Sequence, residues 1–219
     1  MKTKIDIETW SRKEHFLLFN EFEEPYYGVN IAIDCTAAYR DAKANGTSFF
    51  LYYLHKSLAA AQQIEAFRLR IENDEVFLYD VINGGSTVDR PNGTFGFAFY
   101  DYAANFGDFM ETGLKEMTRV RGRNDLERTS RQDLIRFSAL PWIDFTSVSH
   151  ARSFAFKDSA PKISFGKMTE KNGVRSIPMS IHVHHALVDG LHIGQFIDIF
   201  QKLMNEPVTG KVINFSKDI

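Results

Sequence analysis

Met179-Ser-Ile-His-Val-His-His-Ala-Leu-Val-Asp-Gly190 decides how the chain folds. Met179, Ile181, Val183 and His185 share one parity and Ser180, His182 and His184 the other, which in a strand sets an apolar face against a polar one. After a short loop, Asp189-Gly190 opens a segment where Leu191, Ile193, Phe196, Ile197, Phe200, Leu203 and Met204 fall on one face at helical spacing. Asp189 is suited to cap that helix. A half-buried strand therefore runs into an amphipathic helix, with histidines at the junction.

Working outward, strand and helix periods alternate along the whole chain. Ile5 and Ile7 predict a short edge strand, Trp10 to Phe22 a short helix and Val29 to Ile33 a strand. Thr36 to Lys43 predicts a helix stopped by Asn45-Gly46, and the Ala-rich run Phe49 to Gln63 a buried helix. Phe67 to Ile71 and Val76 to Tyr79 predict a hairpin. Phe95 to Tyr100, Leu134 to Leu140 and Ile163 to Met168 predict strands, and Ala104 to Val120 a helix. Hairpins mixed with packed helices predict an α/β sandwich rather than a doubly wound parallel sheet. With no internal repeat and no Pro/Gly/Ser-rich linker, residues 1–219 read as a single domain.

Composition excludes several classes. The 26 basic and 28 acidic residues leave a formal charge of -2, with no general attraction to nucleic acid or to an anionic membrane. Arg119-Val-Arg-Gly-Arg123 is a local basic stretch, read as a solvated loop because Asp125 and Glu127 follow it. The single cysteine, Cys35, allows no internal disulfide and no thiolate zinc site. The opening Met1 to Ile7 lacks the apolar core of a signal peptide, and no run approaches the ~20 apolar residues of a membrane span. A cytoplasmic protein is expected. The 20 Phe residues suit a Phe-rich core, an apolar pocket or a subunit interface.

The chemistry concentrates at His184-His185-Ala-Leu-Val-Asp189-Gly190. At the end of its strand, His185 is placed to be desolvated on one side and to face a cleft on the other. Imidazole is in large part neutral at cytosolic pH and takes a proton from a hydroxyl, which contributes roughly 10²–10⁴ in rate. An isolated histidine of this kind is more often a hydrogen-bonded core residue, and Asp189 alone reads as an N-cap. His182 and His184 share a strand face, as in metal hydrolases, but no third ligand with suitable spacing lies nearby and no metal is expected.

These residues resemble a known family. His-His-x-x-x-Asp-Gly is the signature of chloramphenicol acetyltransferases, shared by dihydrolipoyl acyltransferase cores and peptide-synthetase condensation domains. Trp10-Ser-Arg12-Lys-Glu14-His15-Phe16 is similar to a segment near the start of chloramphenicol acetyltransferases. Phe67 to Glu75 with Tyr79-Asp80, Ser138-Ala-Leu-Pro-Trp142-Ile-Asp-Phe145-Thr-Ser147 and Ala160-Pro161-Lys-Ile-Ser164 resemble further hallmark segments, in family order and over nearly the whole chain.

The resemblance implies a two-layer sandwich with a mixed sheet packed against helices. It implies direct acetyl transfer from acetyl-coenzyme A as cosubstrate to a hydroxyl of chloramphenicol, an antibiotic-resistance activity, with no acyl-enzyme. His185 matches the catalytic base. Asp189 matches a structural carboxylate paired with Arg12, and breaking such a buried pair typically costs about 3–5 kcal/mol. Ser138 matches a hydroxyl that hydrogen-bonds the tetrahedral intermediate. Ser164 matches a threonine that orients water beside it, and with Trp142 and Lys167 makes up the coenzyme A-binding set. A homotrimer with active sites at subunit interfaces is implied as well.

The departures fall on the acceptor pocket. Val188 and Leu191 stand where the family usually has Cys and Phe, and the polar stretch Arg123 to Asp133 replaces a Phe-Pro-x-Gly segment. Another hydroxylated or amine small molecule is therefore the alternative acceptor. More distant readings are a non-catalytic scaffold and a metal hydrolase.

Overall fold

The computed structural model describes residues 1–154 and 157–208. In chain order its elements are β1 (Lys2–Lys4), α1 (Lys13–Phe19), β2 (Tyr26–Asp34), α2 (Thr36–Ala44), α3 (Phe49–Gln62), α4 (Glu65–Arg68), β3 (Leu69–Glu72) and β4 (Glu75–Tyr79). There follow β5 (Asn83–Asp89), β6 (Phe95–Tyr100), α5 (Phe106–Arg121), β7 (Leu134–Ala139), β8 (Lys162–Phe165), β9 (Thr169–Lys171), β10 (Val174–His184) and α6 (Gly190–Asn205).

A large mixed sheet runs in the order β2-β10-β8-β7-β5-β6, with β9 added to β10, and a small sheet runs β1-β4-β3. β5, β7 and β8 pair in parallel, while β10 is antiparallel to β2 and β8. Ile181, Ile163 and Phe137 lie in register across β10, β8 and β7 and join one apolar core with α2, α3, α5 and α6. The helices thus cover one face of the sheet, the two-layer arrangement expected. α3 is the keel: its residues Leu51 to Leu58, Ala60 and Ala61 are all buried. The opposite face carries Ser180, Ser164 and Ser138 in one cross-strand row and His182, Lys162 and Arg136 in the next.

Most elements fall where the periodicities place them, and Gly46 at φ 63° ends α2 as Asn45-Gly46 predicts. The edge strand expected at Ile5 and Ile7 is instead β1, with Ile5 adding only its N–H to the Val76 carbonyl at 2.8 Å. The basic stretch at Arg119 is not a loop: Arg119 and Arg121 end α5, where cations suit the helix dipole, and Arg119 pairs with Glu116 and Glu127 at 2.7 Å. β5 has no counterpart in the sequence reading. Its Asn-Gly-Gly-Ser start lacks a strand pattern because α3 packs close above it; a Cβ on Gly84 would sit 3.3 Å from Leu58.

The small sheet is locked to the large one by a charge. Arg70 is fully buried, and its guanidinium donates to the carbonyls of Phe67, Leu69, Gln132 and Leu134 at 2.6–2.9 Å. Burial lowers its pKa to about 10, which leaves it cationic at neutral pH. Arg70→Met keeps the volume but strips those carbonyls of their donors, at a cost of about 3 kcal/mol or more. In a chain of this size the melting temperature is expected to fall by roughly 10 °C. An unchanged melting curve would show that water replaces the guanidinium without loss.

Candidate active site

His185 lies just past the end of β10, and three features hold it. Its backbone N–H donates to the Pro25 carbonyl at 2.8 Å. Its ring stacks on Phe19 of α1, centroids 3.9 Å apart and planes at 11°, and packs against Tyr27 of β2 at 4.4 Å and 41°. The following Ala186, Leu187 and Val188 are buried, and Leu187 and Val188 turn the chain by donating to the His184 carbonyl at 3.0 Å. The ring is therefore fixed by packing. Among the described residues neither ring nitrogen has a hydrogen-bond partner; Nδ1 is sealed in, and Nε2 is not among the sealed atoms. Nε2 is thus the more open of the two nitrogens.

The preceding histidine differs in kind. His184 is 6% exposed, its Nδ1 accepts from the Ala186 N–H at 3.3 Å, and burial followed by the Arg152 charge pulls its pKa down to about 4. It is a neutral structural group on the open face, edge-on to Tyr26.

Arg12 and Asp189 meet as expected, Nη1 to Oδ2 at 2.6 Å across 177 positions of sequence. Arg12 occupies the N-cap position of α1 yet makes no cap, since its side chain turns to Asp189. Asp189 also caps α6, Oδ1 accepting from the N–H groups of Leu191 and His192 at 3.1 and 3.4 Å. His192 completes a capping box by accepting from the Asp189 N–H at 3.2 Å. Burial works to raise the Asp189 carboxyl, but the Arg12 hydrogen bond and the His192 and Arg12 charges outweigh it and hold the group below its ordinary value.

This double role sets a prediction. Asp189→Asn keeps an acceptor for the cap and loses the ion pair, which with Asp189 one-third exposed costs about 2 kcal/mol. Asp189→Ala also loses the cap, about 1 kcal/mol more. Because the folded-state pKa is depressed, the pair's contribution is fully present above the unfolded value of about 3.9 and is lost as pH falls through the folded one. The gap in melting temperature between wild type and Asp189→Asn is thus expected to be constant from neutral pH to about 5 and to close only below about 4. A gap that closes near neutrality would assign the effect to another group.

Ser138 and Ser164 are brought together: they pair in register on β7 and β8, on the open face. They are not brought to His185. Its parity and its packing on Tyr27, which pairs with Val183, put it on the opposite side of the sheet. Trp142 and Lys167 follow the ends of the same two strands, β7 and β8. The Leu140 N–H donates to the Phe165 carbonyl and the Lys167 N–H to the Ile143 carbonyl, both at 2.8 Å, which leaves Trp142 75% exposed.

Sequence reasoning does not find Phe19, Tyr27 or His150. The first two carry only an aromatic signal, indistinguishable from core. His150 sits in an irregular segment, yet its Nε2 lies 3.5 Å from Ser164 Oγ and its ring 4.8 Å from His182. Gly28 pairs with His182 on β10, and a methyl group there would collide with that imidazole, which lies across β2. Cys35 is buried, and burial raises its thiol to about 11, an inert structural group. Among the described residues no group of three His, Cys, Asp or Glu could hold a metal, and no helix is long and apolar enough to cross a membrane.

The whole described fold has counterparts among known proteins. A family model described as chloramphenicol acetyltransferase matches residues 1–201. Chloramphenicol acetyltransferase 3 of Escherichia coli is 27% identical over 206 residues, 93% of this chain and 97% of the relative. The chloramphenicol acetyltransferase of Bacillus pumilus is 27% identical over 207 residues, 93% and 94% of the two chains. A solved chloramphenicol acetyltransferase superposes with a TM-score of 0.87 at 31% identity, over 93% of this chain and all of that one. A probable dihydrolipoamide acetyltransferase of Listeria monocytogenes, 12% identical, superposes at 0.65 over 91% and 93% of the chains and shares the fold alone.

Proposed function

The chain belongs to the chloramphenicol acetyltransferase family, and from that premise we propose that this acyltransferase moves the acetyl group of acetyl-coenzyme A directly onto a small-molecule hydroxyl, with His185 as general base and chloramphenicol as the first acceptor to test. The observation that carries the reading is the more open Nε2 of His185 on a ring clamped by Phe19 and Tyr27. A base must be held at a fixed angle to its proton, and an imidazole fixed by stacking meets that need before substrate arrives.

Nε2 takes the acceptor proton as the oxygen attacks the thioester carbonyl. The new C–O bond forms and the carbonyl electron pair moves onto oxygen. Ser138 donates a hydrogen bond to that oxyanion, the kind of contact worth about 10²–10³ in rate. The pair then returns, the C–S bond breaks, and the proton held by His185 passes to the thiolate. Ester and free coenzyme A result, with His185 neutral again.

The placement of His185 and Ser138 on opposite sides of the sheet favours a site shared between two copies, His185 of one facing Ser138 of the next. A closed ring of such heterologous contacts is a cyclic homo-oligomer, and the resemblance to chloramphenicol acetyltransferases implies that it is a homotrimer. The exposed indole of Trp142 beside Lys167 suits the stacking surface and the charge of coenzyme A. The activity would serve antibiotic resistance in the cytoplasm, where acetyl-coenzyme A is made and used.

The test is release of free thiol from acetyl-coenzyme A with and without chloramphenicol, for wild type and His185→Ala. Drug-dependent release that vanishes in the variant supports the reading. No drug-dependent release moves the acceptor to another alcohol or amine, a direction the polar residues 123–133 favour.

A further inference from the structure

A cavity of about 730 Å³ opens on the helix-free face of the sheet, between β5–β7 and the segments 127–132 and 151–153. Its wall includes Arg136 and Phe137, the two residues before Ser138 on β7, and Lys162, two before Ser164 on β8. Two residues along a strand span about 7 Å, so one small molecule touches both the Ser138 row and the Arg136–Lys162 row. Phe97 and Phe99 supply an aromatic flank. The cavity therefore lies one strand row from the proposed transfer site, although Ser138 and Ser164 do not themselves line it.

Its charge is unbalanced. Arg128, Arg131, Arg136, Arg152 and Lys162 line it, against Glu127 and Asp158. Arg131 is neutralised by Asp101 and Asp133, both at 2.8 Å, and Arg152 by Glu24. Asp158 is shared by Lys162 at 2.7 Å and Arg136 at 3.7 Å. Glu127 is held 2.7 Å from Arg119, outside the cavity. Arg128 makes no ion pair among the described residues. Arg128 thus faces the cavity without an ion pair among the described residues, and Arg136 holds only the longer contact to an Asp158 it shares with Lys162. The same field reaches the nearby histidines: after burial, Lys162 is among the charges holding His150 and His182 neutral.

We infer that this cavity takes an acceptor alcohol that carries a negative charge, with Arg136 and Arg128 binding the anion and Phe97 and Phe99 the body of the molecule. A guanidinium binds a carboxylate or a phosphate with paired, charge-assisted donors, and the low-dielectric aromatic wall strengthens the contact. A neutral, largely apolar acceptor gains no charge-assisted contact from Arg128 or Arg136, so the pair selects for the anion. The inference rests on the acetyl-transfer reading for the identity of the site, and it names the substrate class that site selects.

The probe is 4-(hydroxymethyl)benzoate and its methyl ester, which carries one more methyl group and no charge. Each is titrated calorimetrically into wild type and into R128Q/R136Q, and each is assayed for thiol release from acetyl-coenzyme A. Arg128 is exposed and the Arg136 side chain is 57% exposed, so the double variant is expected to fold. In wild type the carboxylate is expected to bind about tenfold or more tightly than the ester, the value of a hydrogen-bonded charge. That preference falls with added salt and disappears in the variant. Equal or weaker binding of the carboxylate, or a preference that survives in R128Q/R136Q, overturns the inference and leaves acetyl transfer intact. A carboxylate preference in binding with no thiol release from either compound supports the anion site and counts against acetyl transfer.

Discussion

His185→Ala is expected to lower acetyl transfer by about 10³–10⁴ while leaving the fold in place. The two halves of that expectation have separate causes. Without Nε2, the attacking hydroxyl must lose its proton to water, since the adjacent His184 imidazole points to the other face of the sheet and its Nδ1 is engaged by the Ala186 N–H. Tyr27, which packs on the ring, is no substitute, because burial raises its pKa to about 12. The fold survives because the His185 side chain makes no hydrogen bond among the described residues; it contributes stacking on Phe19 and Tyr27 alone. Losing one such ring costs about 1 kcal/mol beyond its buried area. Stopped activity with a melting temperature within a few degrees of wild type is the expected result. His184→Ala should give the reverse pattern, since His184 is buried and caps the turn at Ala186: stability falls more than turnover per folded molecule. If His184→Ala stopped turnover and His185→Ala did not, the base would be misassigned.

The junction of β10 and α6 shows what a sequence makes legible. Alternation from Met179 to Val183, a capping carboxylate and an amphipathic run are local properties, and each predicts its element without knowing the rest of the fold. β5 is the opposite case. Asn83-Gly-Gly-Ser86 is a strand because β6 and β7 pair with both its edges and α3 presses on its face, facts of tertiary structure that composition does not carry. The site divides in the same way. Arg12, Ser138, His185 and Asp189 stand in motifs, whereas the clamp on His185 comes from aromatic residues that look like core. The charge of the open-face cavity was only half visible, since residues 123–133 read as polar, but which cations remain unpaired depends on where Asp101, Asp133 and Asp158 fall in space.

Two inactive variants are expected to restore activity when they are assembled together. Ser138→Ala alone loses the oxyanion donor and about 10²–10³ in rate. His185→Ala alone loses the base. Within one chain these residues lie on opposite sides of the sheet, so a site that uses both draws them from different copies. In a cyclic trimer made from an equal mixture of the two variants, a site works when its histidine comes from a Ser138→Ala copy and its serine from a His185→Ala copy. Each condition holds for about one half of copies, so about one quarter of sites, and of wild-type activity, should return. That lies far above either parent. The variants are coexpressed or refolded together, and thiol release is compared with that of the separately folded proteins mixed afterwards, where subunits do not exchange. Activity no greater than the sum of the parents in the co-assembled sample would mean that base and oxyanion donor act from the same chain. His185 would then have to cross the sheet edge to reach Ser138, which its stacking on Phe19 and Tyr27 opposes.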